Sequence, residues 1–206
     1  MAQQSVSPTA SLRLRGRRVL LRALRPADFD AWRDIRLRNA EWLLSWEPRR
    51  SPGSPDVVSD RQAFTVRCQG RDRERQLGTA FGFAIEAGGV LVGEINLNSI
   101  QRGPFQNAYV GYWIDRDHAG QGYVPEALVV LLRFAFEELG LHRVQVSIIP
   151  RNTASVRVVD KVGLRSEGIA ERYLEIAGVW EDHVRYAITV EEWNDRRTAF
   201  LHDWIV

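Results

Sequence analysis

Tyr109–Leu139 reads YVGYWIDRDHAGQGYVPEALVVLLRFAFEEL, and its periodicity changes halfway along. Tyr109–Ile114 is aromatic and β-branched, as suits a half-buried strand. From Ala127 the period lengthens. Ala127, Leu128, Leu131, Leu132, Ala135, Phe136 and Leu139 fall at the i, i+3, i+4, i+7 spacing of a helix with one buried face, and Gly140 closes it. Between strand and helix lies Ala119-Gly120-Gln121-Gly122-Tyr123-Val124-Pro125-Glu126. Pro125 fits a first helical turn, where its missing N–H leaves no bond unmade. The glycines permit backbone shapes that other residues resist and leave room for a ligand against the main chain. A helix start presents unpaired N–H groups at the positive end of the helix dipole. The turn is therefore either a bare strand–helix connection or a seat for a phosphate or pyrophosphate. There is no G-x-x-x-x-G-K-[ST], which excludes a P-loop. There is also no G-x-G-x-x-G followed by an acidic residue about 20 positions later, which argues against a dinucleotide fold.

The chain has 206 residues, 45% hydrophobic and 26% charged, which predicts a single globular domain over residues 1–206. A net charge of +2 is too small to argue for direct nucleic-acid readout. Arginines cluster at Arg13–Arg25, Arg33–Arg38 and Arg67–Arg75, either as solvated faces or as a docking surface for an acidic or RNA-rich particle. One cysteine, Cys68, allows no intrachain disulfide, fits a reducing compartment and reads as a small buried hydrophobe. No run is long and apolar enough to span a membrane. Residues 1–12 are polar at the start and lack a signal-peptide core, which predicts a frayed start and a cytoplasmic protein. The histidines show no metal spacing, so no metal is expected.

Around the central stretch, Arg17–Arg25 reads as a first strand and Pro26-Ala27-Asp28 as a helix start, with Phe29, Trp32, Ile35 and Leu37 supplying apolar contacts. Asn39–Pro48 is loop-like but unusually aromatic, and Arg49–Pro55 is a turn-rich connection. Asp56–Gly70 looks helical, with Val57, Phe64 and Cys68 on one face and Asp56 supporting the start. Ala80–Ala87 and Val90–Ile100 form a hairpin about Gly88-Gly89. On its second strand Glu94, Asn96 and Asn98 share a face, either as a site wall or as a wet side. Phe105–Asp115 and His142–Ile149 are strands flanking the main helix, and that crossover makes them parallel. Ala154–Lys161 is a short helix ended by Gly163. Leu164–Ile176 and Val179–Val190 close the sheet, and Glu191–Asp203 forms a terminal helix. The expected class is mixed α/β: a twisted sheet of about seven strands with helices on both faces.

DHAGQGYVPEAL resembles the acetyl-CoA pyrophosphate loop of the GNAT N-acetyltransferase superfamily, Gln/Arg-x-x-Gly-x-Gly/Ala. Gly122 fits the central glycine, with Ala119 where Gln or Arg is usual and Val124 where Gly or Ala is usual. The element order is also similar to the GNAT order. NAEWLLSWEP, RGPFQNAYVGYWI, NTASVRVVDKVGL and EGIAERYLEIAGVWEDHVRYAI together resemble the RimJ/RimL branch of that superfamily. The resemblance covers Arg18–Trp193. It implies a GNAT fold whose parallel strands splay apart so that a pantetheine arm lies between them. It also implies acetyl transfer from acetyl-CoA to the N-terminal amine, of Ala or Ser type, of a ribosomal or other protein.

Attack of a neutral amine on a thioester needs a bound donor, a deprotonated amine, an oxyanion donor and a proton for the thiolate. An N-terminal amine titrates at about 8, so a modest base or a water relay is enough. The resemblance implies that backbone groups of Trp113, Ile114 and Asp115 run along the pantetheine, and that Gly120, Gln121, Gly122, Tyr123, Val124 and Pro125 hold the pyrophosphate. Asn152 and Ser155 match an Asn-x-x-Ser at the next helix start, with Ser155 toward the leaving sulfur. Read from residue type alone, both are helix caps. Many family members carry a glutamate on the strand before the loop, where this chain has Tyr109. Glu94, on the adjacent strand, is the alternative base through water. Glu47 is a candidate for the acceptor ammonium, Trp42 and Trp46 for walls of a peptide channel, and Asn96 for the acceptor side. Packing is the ordinary role of such aromatics. Monomer and homodimer both stay open. Two other readings are weighed: acetyl-CoA-dependent acetylation of a small amine such as an antibiotic or polyamine, and a non-catalytic acetyl-CoA-binding module.

Overall fold

The computed structural model describes residues 12–48 and 53–205. Residues 1–11 of the expected frayed start, and positions 49–52 of the turn-rich connection, lie outside the described residues. Among the described residues eight strands form one sheet: β1 (Arg13–Arg15), β2 (Val19–Arg22), β3 (Phe81–Ala87), β4 (Val90–Gln101), β5 (Asn107–Ile114), β6 (Arg143–Ile148), β7 (Arg165–Ile176) and β8 (Val179–Thr189). Their order is β1-β2-β3-β4-β5-β6-β8-β7, and only β5 and β6 pair parallel. The helices are α1 (Phe29–Arg38), α2 (Ala40–Leu44), α3 (Arg61–Leu77), α4 (Tyr123–Arg133), α5 (Thr153–Val162) and α6 (Val190–Trp204).

One strand more than expected arises because the Arg-rich start makes two short antiparallel strands, Arg13 pairing with Arg22 and Arg15 with Leu20. The aromatic stretch after Asn39 contains the short helix α2 rather than a loop. The third helix begins later than its pattern suggested. Asp60, not Asp56, caps it by accepting from the Gln62 N–H at 2.7 Å, and the helix runs to Leu77. Leu37, expected to pack inward, is 52% exposed.

Two cores sandwich the sheet. On one face α4, α5 and α6 bury the larger one; Val124–Leu132 are all buried, as a helix apolar on every side must be. After Arg133 that helix widens into a π turn over Phe134–Glu138. On the other face Leu24, Phe29, Trp32, Ile35, Phe64, Cys68, Ala84 and Leu91 make a smaller core under α1 and α3. Cys68 sits in it as expected, its thiol pushed up to about 11 by burial. Strand alternation divides the two: Ala108, Val110, Val144 and Val146 enter the larger core, so Tyr109, Gly111, Gln145 and Ser147 look toward the α1/α3 side.

Candidate active site

The parallel ladder is short. Asn107–Val110 pair with Arg143–Val146 and the pairing stops there, while Gly111–Ile114 continue to pair only with β4. Past Val110 the strands therefore part, and the gap-side edge of β5 is left with main-chain groups that a ligand can satisfy. A cleft of about 570 Å³ opens at this point. Its walls are Tyr112, Trp113 and Ile114 of β5; His118, Ala119, Gly120 and Gly122–Pro125 of the turn and α4; Asn152–Ser155, Arg157, Val158 and Lys161 around α5; and Trp42, Leu43, Trp46 and Glu47.

Gly120 and Gly122 hold φ of +76° and +85°, a left-handed backbone that any other residue would adopt under strain. These two conformations locate the Gly-x-Gly at 120 and 122. A Cβ on Gly122 would stand 3.1 Å from Arg18 Nη2. Arg18 braces the loop by donating to the Gln121 carbonyl at 2.9 Å and to Glu126 at 2.9 Å. Gln121 itself does not line the cleft; its side chain donates to the Asp117 carbonyl. Arg157 and Lys161, one helical turn apart, stand on the opposite wall, and Arg151 joins them while pairing with Glu181. These cations were missed in the sequence reading, although the i, i+4 spacing of Arg157 and Lys161 after Asn152 was visible.

Asp115 follows the last residue of β5 and is fully buried. It accepts from Arg38, from Asn39 Nδ2 at 2.8 Å and from His118 Nδ1 at 3.0 Å. Burial alone would raise this carboxyl, but those bonds outweigh it and hold it at about 2. Asn39 also accepts from the Arg116 N–H, so the junction of α1 and α2 is fastened to the glycine turn. This buried cluster passes unnoticed in the sequence because its members are spread over Arg38 to His118.

Ser155 lines the cleft, and its hydroxyl makes no hydrogen bond to the described residues. Its main chain is held from two sides: its N–H donates to Asn152 Oδ1 at 3.1 Å, and the Tyr112 hydroxyl donates to its carbonyl at 3.3 Å. Asn152 therefore works as the cap of α5. Trp42, Trp46 and Glu47 line the cleft, with Glu47 gripped bidentately by Arg36 at 2.5 and 2.6 Å.

Five expected residues do not line the cleft: Gln121, Asp115, whose N–H donates to the Val92 carbonyl at 2.7 Å, and Glu94, Asn96 and Tyr109. Glu94 is 2% exposed, and its oxygens are taken by Trp32 Nε1 at 2.6 Å, Trp113 Nε1 at 3.2 Å and Arg67 at 2.7 Å. Three of the carboxylate's roughly four acceptor positions are filled, and its burial keeps it from bulk water. The geometry makes it a brace for Trp32 and Trp113. Asn96 stands beside Gly82 with its carbonyl oxygen buried and unpartnered. Tyr109, opposite Asn98 and Gln145, shares the α1/α3 face with Trp113 but stands four residues before it, short of the cleft. Among the described residues no group of histidine, cysteine, aspartate and glutamate could hold a metal ion, and no helix is long and apolar enough to cross a membrane.

A splayed parallel pair, a left-handed glycine turn at a helix start and a free serine at the next helix start can hold an extended ligand that ends in phosphates. Comparison with known proteins agrees. A model of the acetyltransferase (GNAT) domain matches residues 18–165. A probable N-acetyltransferase of Bacillus subtilis, YjcK, is 32% identical over 175 residues, covering 85% of this chain and 96% of that protein. The ribosomal protein uS5-alanine N-acetyltransferase of Escherichia coli is 32% identical over 178 residues, 82% of this chain and 88% of that one. Mycobacterium smegmatis RimJ, solved in complex with CoA-disulfide, superposes with a TM-score of 0.84 at 33% identity, covering 95% of this chain and 94% of that one. The strand order, the parting of β5 from β6 and the matched span lead to one conclusion: the chain belongs to the GNAT acetyltransferase family, with the mixed α/β GNAT fold.

Proposed function

We propose that the protein, acting as one domain, transfers acetyl from acetyl-CoA to the N-terminal α-amine, of Ala or Ser type, of a ribosomal or other protein, in a ternary complex. The observation that carries this is the parting of β5 from β6 after Val110 and Val146, with the left-handed turn at one end and Ser155 across the gap. The residues present fit the donor. Main-chain groups of Trp113 and Ile114 suit the amides of a pantetheine arm. N–H groups of Gly120–Pro125 suit a pyrophosphate, and Arg157 and Lys161 add positive charge. The thioester supplies an activated acetyl carbon and a good leaving group.

The protein's own part is to position and to manage protons. Ser155, with its main chain fixed, directs a free hydroxyl into the cleft, where it donates to the departing sulfur. Trp113, held by Glu94, and Trp42 and Trp46 wall the acceptor route and exclude water. Because Glu47 is already paired with Arg36, it serves to hold α1 against the segment after α2. The name of the uS5-alanine enzyme supports a ribosomal protein as acceptor.

The test is transfer from labelled acetyl-CoA to peptides beginning with Ala, Ser, Met or Gly, beside small amines, with mass spectrometry to locate the acetyl group. Acetyl on the N-terminal nitrogen of the Ala and Ser peptides is expected. Acetyl only on small amines, or only on lysine side chains, would overturn the reading.

A further inference from the structure

Tyr173 has no role in the site so far, yet the fold departs from regular geometry to place it. In the β7–β8 pairing Ala170 opposes His183 and Leu174 opposes Glu181, so three residues of β7 face one of β8. Arg172 within this bulge has φ of +46°, a conformation uncommon for a side-chain-bearing residue, and its N–H donates to Asp182 at 2.8 Å. The bulge swings Tyr173 onto the buried His183, edge-on at 5.7 Å between ring centroids. His183 is itself set by Nδ1 at 2.9 Å from the Glu181 carbonyl. From there the Tyr173 hydroxyl interacts with Tyr109 and Ser147.

The register says where that cluster lies. Tyr109 is one residue before Val110, and Ser147 one after Val146, the last parallel rung. Both face away from the larger core, beside Gly111, whose missing side chain leaves the sheet open. The cluster therefore stands at the point where the strands part, on the α1/α3 face that also carries Trp113 at the cleft. Hydroxyls from β5, β6 and β7 converge there, and backbone strain is retained where a surrounding structure imposes it.

We propose that Tyr173, together with Tyr109 and Ser147, receives the attacking amine and orients its lone pair; this rests on the transfer reading above. Each hydroxyl both donates and accepts, so the row can take a hydrogen bond from an N–H. Arg185, close to Tyr173 and opposite Ser147, disfavours a positively charged arrival and selects the neutral amine. On attack the N–H bond breaks and its proton joins a hydroxyl oxygen. That hydroxyl passes its own proton along the row to bulk water; the nitrogen lone pair forms the C–N bond, the C–S bond breaks with its pair leaving on the thiolate beside Ser155, and the N–H pair stays on nitrogen. Burial keeps the Tyr173 phenol protonated, as a relay requires. The chemistry fits a single primary amine at the end of an extended chain and disfavours a polyamine.

The test compares wild type with Tyr173→Phe, which keeps the ring on His183 and removes the hydroxyl. Acetyl-CoA affinity is read by calorimetry, and kcat and KM with an Ala-starting peptide. The expected result is affinity within twofold and kcat/KM lowered at least tenfold. Wild-type kcat/KM in the variant, or a fall matched by lost acetyl-CoA affinity, would overturn the proposal. Should Tyr173→Phe not fold, Ser147→Ala is expected to give the same split, and wild-type behaviour there would likewise overturn it. Arg172→Gly, which keeps the bulge conformation, is expected to leave kcat/KM within twofold. A tenfold loss there would show that the bulge does not carry the effect. No peptide transfer by the wild type overturns the parent reading and the proposal together. Equal transfer by wild type and variant overturns the proposal alone.

Discussion

Glu94 and Asp115 show how burial decides what a carboxylate does. Both are nearly or fully out of water, and each is held by three neighbouring groups. For Glu94→Gln we expect a stability loss of about 2–3 kcal/mol, since Arg67 is left with an uncompensated charge. The acid limb of the rate profile should keep its shape. Urea unfolding and a pH series on kcat/KM check both, and loss of the acid limb would restore Glu94 as the base. Asp115 is depressed from 3.8 to about 2 on folding. Its stabilisation is complete above its unfolded value and is lost as pH falls through about 2. The shift is worth about 2 kcal/mol. The stability gap between wild type and Asp115→Asn should therefore shrink by about that amount between roughly pH 6 and 2. A gap independent of pH would disprove the ion-pair account. Glu94 was legible as a residue of interest, because its alternation with Asn96 and Asn98 is plain. Its partners were not: Trp32, Arg67 and Trp113 come from three other elements.

At the scale of elements, the turn from β5 to α4 was legible as a glycine turn leading into a helix, and the structure gives Gly120 and Gly122 left-handed backbone. For Gly122→Ala we expect a destabilisation of about 1–2 kcal/mol, from forcing a Cβ into left-handed backbone. Contact with Arg18 at 3.1 Å should add a loss of acetyl-CoA affinity of about tenfold. Calorimetric titration checks the second, and unchanged affinity would remove the loop from the binding site. The helix start at Asp60 rather than Asp56 was not legible for a local reason. Both aspartates precede plausible helical residues, and Asp56 instead accepts from the Val58 N–H and the Ser59 hydroxyl in a turn of its own. The β7 bulge was invisible, since no glycine or proline marks Glu171–Tyr173.

Over the whole molecule, the three arginine clusters are largely spoken for. Arg22 pairs with Asp28 and Glu86, Arg36 with Glu47, Arg38 with Asp115, Arg67 with Glu94 and Arg75 with Asp72. This supports the solvated, internally paired reading over a docking surface. The cleft lies between the halves of a parted sheet, so a ligand there ties the two halves together. At a CoA concentration about 100 times its dissociation constant, the gain is about 2.7 kcal/mol. That corresponds to a rise in Tm of about 5–10 °C for a chain of this size. Differential scanning calorimetry with and without CoA checks it, and an unshifted transition would argue that the cleft does not take CoA.

By itself the sequence determined the elements and their class, because periodicity, turn residues and the glycine-to-proline helix start are local signals, each written within a dozen residues. It also determined the one parallel pair, because only a helix crosses between β5 and β6. The tertiary structure alone decided which polar residues reach the cleft. Ser155 is left with a free hydroxyl, while Glu94 is locked away by three partners. Tyr173 is turned by a strained bulge toward the parting strands. Those outcomes depend on contacts between residues far apart in the chain, and the free energy of a carboxylate or hydroxyl is set by the neighbours that folding brings to it.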